Sequence, residues 1–411
     1  MRRIPLHNRG FALPRSVLLP AAVLLALGAG VALLAGPGAL SPAASDSQQQ
    51  DPLAGPFVGI TTDSTVIPGL FPVRSTGVTT APVRVAADRF LGVLTPEQRE
   101  ITTFPVDDIQ WRRWSNTSRF ERHGVSFEEM TGAQREAAFD MVRAGMSARG
   151  FQQTRDIMRL NGFLAEVLER CEVYCEFLYL ITVMGEPHPT EPWGWQLEGH
   201  HLLVTYFVLG DQVVMTPTFM GSEPVMAETG RYAGTEVLQD EQALGYQLMA
   251  SLDPAQREAA HLGGSKTGNN ALAQAFRDNL VLDYAGIRGS ALGSGQRTGL
   301  LELIGIYVGN IPDGHARVRM EEVEAHLDDT WFAWLGDVDP DGVFYYRVHS
   351  PVVLIEFDHQ LPVALPGDRV PNRRHIHSVV RTPNGNDYGK DLLRQHYEAQ
   401  VVGGARGHPH P

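Results

Sequence analysis

Two blocks of strand-forming sequence, far apart along the chain, place the strongest limit on how it can fold. Each block holds two apolar or β-branched segments joined by a short turn, Gly210-Asp211 in the first and Ser350-Pro351 in the second. The predicted strands are 200–207, 212–219, 343–349 and 352–358, with a further short strand at 375–381. Segments joined by tight turns pair antiparallel, and the helical sequence is segregated from these blocks. The sequence therefore predicts the α+β class, with antiparallel strand pairs packed with several helices in one large domain.

Helix-starting residues recur between and around the strand blocks. A short phrase ending in Gln-Arg follows Thr95, Thr131 and Asp253, whose side chains can cap the free amides of a helix. Proline at the first helical position loses no hydrogen bond there. The predicted helices are 131–147, 151–170, 239–261, 296–309 and 318–329, with a closing helix over 391–401. Their irregular spacing excludes a solenoid repeat.

The N-terminus carries several arginines followed by an uncharged apolar run over residues 17–35. This pattern is typical of an export signal or a single membrane anchor. The domain organisation predicted is an export signal or membrane anchor at 1–40, a flexible tether at 41–82, a single α+β domain at 83–402 and a disordered tail at 403–411. We expect an exported protein, periplasmic, on the cell surface or secreted, that meets a membrane only through its N-terminal segment.

The charge balance limits the partners of the protein. The formal net charge is −13, and the acidic residues are spread along the chain. Nucleic-acid binding requires a basic patch or stripe to meet phosphates, and the sequence has none. We therefore exclude nucleic acid and expect a small-molecule substrate or ligand.

The sequence contains two cysteines, Cys171 and Cys175. Their spacing places them on one helical face with α-carbons about 6 Å apart, within disulfide range but poorly oriented for a bridge. Three roles remain open: small core residues, a disulfide formed in an oxidising compartment, or metal ligands.

Two remote stretches of the chain contain closely spaced histidines. His200 and His201 end the run W-G-W-Q-L-E-G-H-H, and His375 and His377 form an H-x-H pair. Residues i and i+2 of a strand project to one face, so His375 and His377 can bind the same ion. Adjacent strand residues point to opposite faces, so we expect one of His200 and His201 to be the third ligand. The alternative is that these imidazoles only hydrogen-bond buried main chain.

Two carboxylates and an arginine complete the candidate site. Glu356 and Asp358 share a face of one predicted strand and could supply a carboxylate ligand or a general base. Arg381 ends the next predicted strand and could hold an anionic group of a substrate. The expected cofactor is a divalent metal, zinc first, although imidazole ligands also suit copper and iron.

Several sequence runs, in order along the chain, match one pattern. They are W-G-W-Q-L-E-G-H-H from Trp193, T-P-x-F-x-G-x-E-P from Thr216, W-F-A-W-L-G from Trp331, I-E-F-D from Ile355 and H-I-H-S-V-V-R from His375. Together they make the chain resemble the uncharacterised family catalogued as domain of unknown function 3500. The resemblance spans roughly residues 85 to 400 and implies one domain, but it implies no activity.

Three functional hypotheses follow from these residues. The first is a metal-dependent hydrolase in which Glu356 or Asp358 activates water at the metal. A copper or iron oxidoreductase is a variant of this first hypothesis, because the same histidine ligands suit those metals. The others are a non-enzymatic ligand-binding protein of the cell envelope, and a structural or partner-binding envelope protein whose histidines satisfy the core.

Overall fold

The computed structural model describes residues 53–367 and 369–404, the last three as backbone only. The predicted export signal or anchor at 1–40, the first part of the predicted tether and residues 405–411 of the predicted tail lie outside the described residues. In the part that is described, no helix is both long and apolar enough to cross a lipid bilayer.

Several helices begin at capping residues that the sequence indicated. Within the described residues the α-helices are Ala81–Val93 (α1), Pro96–Thr102 (α2), Gly132–Gly145 (α3), Ala148–Leu168 (α4), Cys171–Tyr174 (α5), Gln239–Ser251 (α6), Pro254–Ala260 (α7), Ser294–Val308 (α8), Asp313–Ala325 (α9) and Lys390–Gly404 (α10). Thr95, Thr131 and Asp253 begin α2, α3 and α7, and each exchanges hydrogen bonds with the Gln three residues later. These predicted helix starts are confirmed. The predicted helix 239–261 is divided in two, because Asp253-Pro254 starts a new helix.

The strands form one large sheet. They are Thr103–Phe104 (β1), Val125–Ser126 (β2), Tyr179–Met184 (β3), Trp193–Gly199 (β4), Leu202–Leu209 (β5), Gln212–Val214 (β6), Thr218–Ser222 (β7), Ile287–Arg288 (β8), Trp331–Gly336 (β9), Phe344–His349 (β10), Leu354–His359 (β11) and Ile376–Arg381 (β12). Their order is β1-β3-β4-β5-β7-β12-β11-β10-β9-β8, with β2 beside β3 and β6 beside β5. β1 and β3 are parallel, and the other pairs are antiparallel. The predicted α+β class is confirmed, and the β7–β12 pair joins the two strand blocks.

Both faces of the sheet are buried, and they differ in what covers them. The helical face carries the larger apolar cluster, where Ile355, Phe357 and Ile376 pack with residues of α3, α4 and α8. The opposite face, here called the loop face, carries the smaller cluster that includes Leu354 and Val379. Strand alternation therefore sends Leu354, Glu356 and Asp358, and also His377, Val379 and Arg381, to the loop face.

Part of the predicted tether packs against the loop face. Ile60 is fully buried and Phe71 is 4% exposed in the smaller apolar cluster. Thr61 donates its N–H to the Leu280 carbonyl at 3.1 Å and accepts the N–H of Leu282 at 2.8 Å. The prediction of a flexible tether is thus wrong for residues 53–80, because a few apolar side chains anchor a segment of otherwise polar composition.

The two cysteines are bonded to each other. Cys171 begins α5 and Cys175 follows its end, and a disulfide joins them with α-carbons 4.4 Å apart. Of the three roles that the sequence left open for Cys171 and Cys175, the structure shows the disulfide.

Candidate metal site

Three histidine side chains meet at one point on the loop face. Nε2 of His375 lies 3.1 Å from Nε2 of His201 and 3.0 Å from Nε2 of His377. One nitrogen from each ring can be chosen so that all three lie within 4.8 Å of one another. A tetrahedral zinc ion with Zn–N bonds of about 2.0–2.1 Å requires about 3.3 Å between ligand nitrogens. The two distances from His375 are close to the ligand spacing of a three-imidazole metal site.

The strand order brings these histidines together across β7. His375 precedes β12 and His377 is its second residue, while His201 immediately precedes β5, on the other side of β7. Gly221 of β7 is paired with His377 and donates its N–H to the His201 carbonyl at 2.8 Å. A Cβ at Gly221 would lie 3.0 Å from Cδ2 of His377 and 2.7 Å from the carbonyl oxygen of Ile376. The absent side chain leaves the space in which rings from both sides of β7 meet.

His200 and His201 are the two residues of the turn between β4 and β5, whereas the sequence predicted that a strand begins at His200. His201 has a φ of 61°, a left-handed conformation that the second central residue of a turn can adopt. Nδ1 of His200 lies 2.8 Å from Oδ1 of Asn161 in α4, and its ring stacks on that of His201 with centroids 3.9 Å apart. The structure therefore brings His201 to His375 and His377. His200 instead lies between the ring of His201 and Asn161.

Burial favours the neutral form of these imidazoles, which is the form that binds metals. Desolvation lowers the pKa of His201 and of His377 well below the usual value, and it lowers that of His375. Nδ1 of His375 lies 2.6 Å from the carbonyl oxygen of Leu361 and must carry the ring proton in order to donate it. Nε2 of His375 therefore presents a lone pair to the other two rings.

Hydrogen bonding among the rings accounts poorly for this convergence. A neutral imidazole nitrogen has one in-plane lone pair, and two other Nε2 atoms approach that of His375 at 3.0–3.1 Å. One lone pair cannot accept two well-aligned hydrogen bonds. A cation at the meeting point would accept a lone pair from each ring, so the arrangement fits metal ligation better.

Glu356 lies on the loop face, but its carboxylate is directed at main-chain amides. It accepts the N–H of Leu272 at 2.9 Å and that of Ala273 at 2.7 Å, and it also accepts the hydroxyl of Tyr345 at 2.6 Å. Burial raises its pKa, while these bonds oppose the rise. The structure thus gives Glu356 partners inside the protein and does not bring it to the histidines.

Asp358 is a strand neighbour of the histidines with a different set of contacts. It is paired with His377 in the register of β11 and β12. Its carboxylate, however, accepts the N–H groups of Asn270 and Ala271 at 2.6 and 3.0 Å and lies 2.9 Å from Nζ of Lys266. Among the described residues, the group that could share one ion contains the three histidines and not Asp358.

Arg381 is fully buried, four residues beyond His377 and so about 13 Å further along β12. Its guanidinium lies 2.9 Å from Asp278 and 3.2 Å from Asp387, and it donates to two main-chain carbonyls at 2.9 Å. These partners occupy the donors that the sequence analysis assigned to a substrate anion.

Two residues that the sequence analysis did not single out lie at the site. Gly221 makes room for the rings, and Oε2 of Glu223 lies 3.5 Å from Nδ1 of His375. Both belong to the run T-P-x-F-x-G-x-E-P from Thr216, so the signal was in the sequence. It was missed because neither glycine nor a lone glutamate beside proline suggests a metal site.

These observations define a class of protein: an α+β domain built on one large, mostly antiparallel sheet, with three buried neutral histidines meeting on one face. The chain belongs to the family described as protein of unknown function DUF3500, whose family model matches residues 76–390. The resemblance noted from the motif runs is thereby confirmed. Searches of the curated proteins and of the solved structures find no match. The family description names no activity.

Proposed function

We propose that this protein binds a divalent metal, zinc first, through His201, His375 and His377, and that it uses the metal to hydrolyse a small-molecule substrate. The observation that carries the proposal is the approach of the Nε2 atoms of His201 and His377 to within 3.0–3.1 Å of Nε2 of His375. Three imidazoles are a ligand set that zinc accepts, and copper or iron can use the same set.

The number of ligands favours a catalytic role over a purely structural one. Structural zinc sites generally have four protein ligands, whereas catalytic sites have three and keep one position open. The ligand group found among the described residues has three members. A metal held in this way lowers the pKa of a bound water towards neutrality and so supplies a nucleophile.

The remaining residues restrict the mechanism and the substrate. Glu356 and Asp358 already accept main-chain amides, so a bound metal would activate the water without help from these carboxylates. His201 and His377 are 6% exposed and His375 is 2% exposed. A substrate group that reaches the metal must therefore be small.

Metal analysis of the purified full-length protein and its variants tests the proposal. We expect about one equivalent of metal in the wild type and in His200→Ala, and a large loss in His201→Ala and in His375→Ala/His377→Ala. His200→Ala is the matched control, because His200 is the sequence neighbour of His201 but faces Asn161. Equal metal content in all four proteins would exclude the site.

The identity of the metal and its effect on turnover decide between hydrolysis and the alternatives. Stoichiometric zinc, together with chelator-sensitive cleavage of small ester, amide or phosphoester substrates, would support the hydrolase. Stoichiometric copper or iron would instead favour the oxidoreductase. Tight ligand binding that persists after metal removal would favour a non-enzymatic binding protein.

A further inference from the structure

Glu223 is a buried carboxylate that binds main-chain amides. It follows β7, is 3% exposed, and accepts the N–H groups of Val363, Ala364 and Leu365 at 2.9–3.1 Å. Among the described residues it forms no ion pair with lysine or arginine, and Nδ1 of the neutral His375 ring lies 3.5 Å from its Oε2. Consecutive amides directed at one anion form a compact turn whose shape depends on that anion.

The same stretch of chain holds His375. The carbonyl of Leu361, just before the turn, accepts the Nδ1 proton of His375 at 2.6 Å. Gln360 donates its N–H to the His375 carbonyl at 2.8 Å. The ring and the main chain of His375 are thus fixed by residues whose position depends on Glu223. A carbonyl or carboxylate on the second ring nitrogen is the usual partner of a metal-bound histidine.

We infer that Glu223 is a positioning residue of the metal site, acting on His375 through the segment 361–365. The inference rests on the proposed function. Without the carboxylate, the amides of 363–365 lose their acceptor and the Leu361 carbonyl is no longer held against Nδ1. The ring of His375 can then turn, or place its proton on Nε2, and an imidazole protonated on Nε2 cannot bind the metal through that atom. Metal affinity is therefore coupled to the order of this segment.

If Glu223 only stabilised its loop, its removal would affect stability but not metal affinity in particular. Glu356 is the matched control for this alternative. Glu356 is also buried and accepts the N–H groups of two consecutive loop residues, Leu272 and Ala273, but within the described residues its hydrogen bonds involve no histidine. If both glutamates only stabilise loops, then Glu223→Gln and Glu356→Gln should lower the stability of the metal-free protein and leave metal affinity alike.

The experiment compares wild type, Glu223→Gln and Glu356→Gln as full-length chains. Zinc affinity is measured by competition with a chromophoric chelator, and metal-free stability by urea unfolding. We expect zinc affinity to fall about 10–100-fold in Glu223→Gln and to be unchanged in Glu356→Gln. Equal affinities in all three proteins, or equal losses in both variants, would overturn the inference.

A second measurement does not require metal and separates this inference from the proposed function. The ¹⁵N shifts of selectively labelled histidine in metal-free protein report which ring nitrogen is protonated. We expect His375 to be protonated on Nδ1 in the wild type and in Glu356→Gln, and to be a tautomeric mixture in Glu223→Gln. A wild type without metal affinity would end the metal proposal, while an unchanged tautomer in Glu223→Gln would end the positioning role.

Discussion

Arg381→Met removes the cation from a fully buried cluster on the loop face. Its guanidinium lies 2.9 Å from Asp278 and 3.2 Å from Asp387, and these three side chains are at most 2% exposed. Among the described residues, the substitution leaves Asp387 without an ion-pair partner, whereas Asp278 keeps Arg112 at 2.8 Å. Methionine preserves most of the apolar volume, so the change mainly tests the charge.

The expected cost follows from this burial. Breaking a buried ion pair by removing one partner typically costs about 3–5 kcal/mol of unfolding free energy, because the other charge remains buried. The double variant Arg381→Met/Asp387→Asn removes both members of one pair. It should therefore lose less stability than the two single variants together, with a coupling of about 1–3 kcal/mol.

Urea unfolding of the metal-free protein, followed by tryptophan fluorescence, measures these costs. Arg394→Met is the control, because Arg394 is 56% exposed and pairs with Asp391 and Glu398 on the surface of α10. Such exposed pairs contribute below about 1 kcal/mol. If Arg381→Met costs no more than Arg394→Met, or abolishes binding of a substrate anion without loss of stability, the structural assignment of Arg381 is refuted.

Two further predictions concern the packing at the metal site and the pH dependence of stability. In Gly221→Ala the new Cβ would lie 2.7 Å from the Ile376 carbonyl oxygen. We therefore expect the free energy of unfolding to fall by about 1–3 kcal/mol and zinc binding, measured by calorimetry, to weaken. An unchanged zinc affinity would contradict the packing argument. Burial raises the pKa of Glu198 from 4.5 to about 8, against the opposing effect of Arg122. The folded protein then retains a proton that the unfolded chain releases. This contribution to stability is complete below pH 4.5 and is lost as the pH rises through about 8, by about 1.4 kcal/mol per pH unit between the two values. Urea titrations at about pH 5 and pH 8 should show the wild type losing stability relative to Glu198→Gln, and parallel behaviour of the two proteins would disprove the assignment.

Local features of the fold could be predicted because their causes lie within a few residues. Thr131 and Gln134 form a capping box from side chains three positions apart, and Gly210-Asp211 forms a turn from its own backbone preferences. The union of the two strand blocks could not be predicted. It depends on β7 pairing with β12, and a pairing between remote segments leaves no local pattern in either one.

The histidine positions show the same division between local and long-range information. The H-x-H spacing alone indicates that His375 and His377 share a face. The choice between His200 and His201 depends on a turn with φ of 61° at His201, and strand alternation gives no information about such a turn. The role of Glu223 depends on the return of residues 361–365 to the end of β7, which is a tertiary contact.

Glu356, Asp358 and Arg381, the charged side chains for which the sequence suggested catalysis, all bind the main chain of one loop segment. Residues 262–286, all of them described, form no helix and no extended strand, so many of their main-chain groups need other partners. Glu356 and Asp358 accept amides of this segment, and Arg381 donates to its carbonyls. The sequence pattern of a carboxylate on a buried strand is the same whether the carboxylate binds a substrate or accepts the main-chain amides of a loop. The histidines differ from these residues in that their Nε2 atoms face one another and not the main chain. For that reason the histidines, and not the carboxylates, carry the functional proposal.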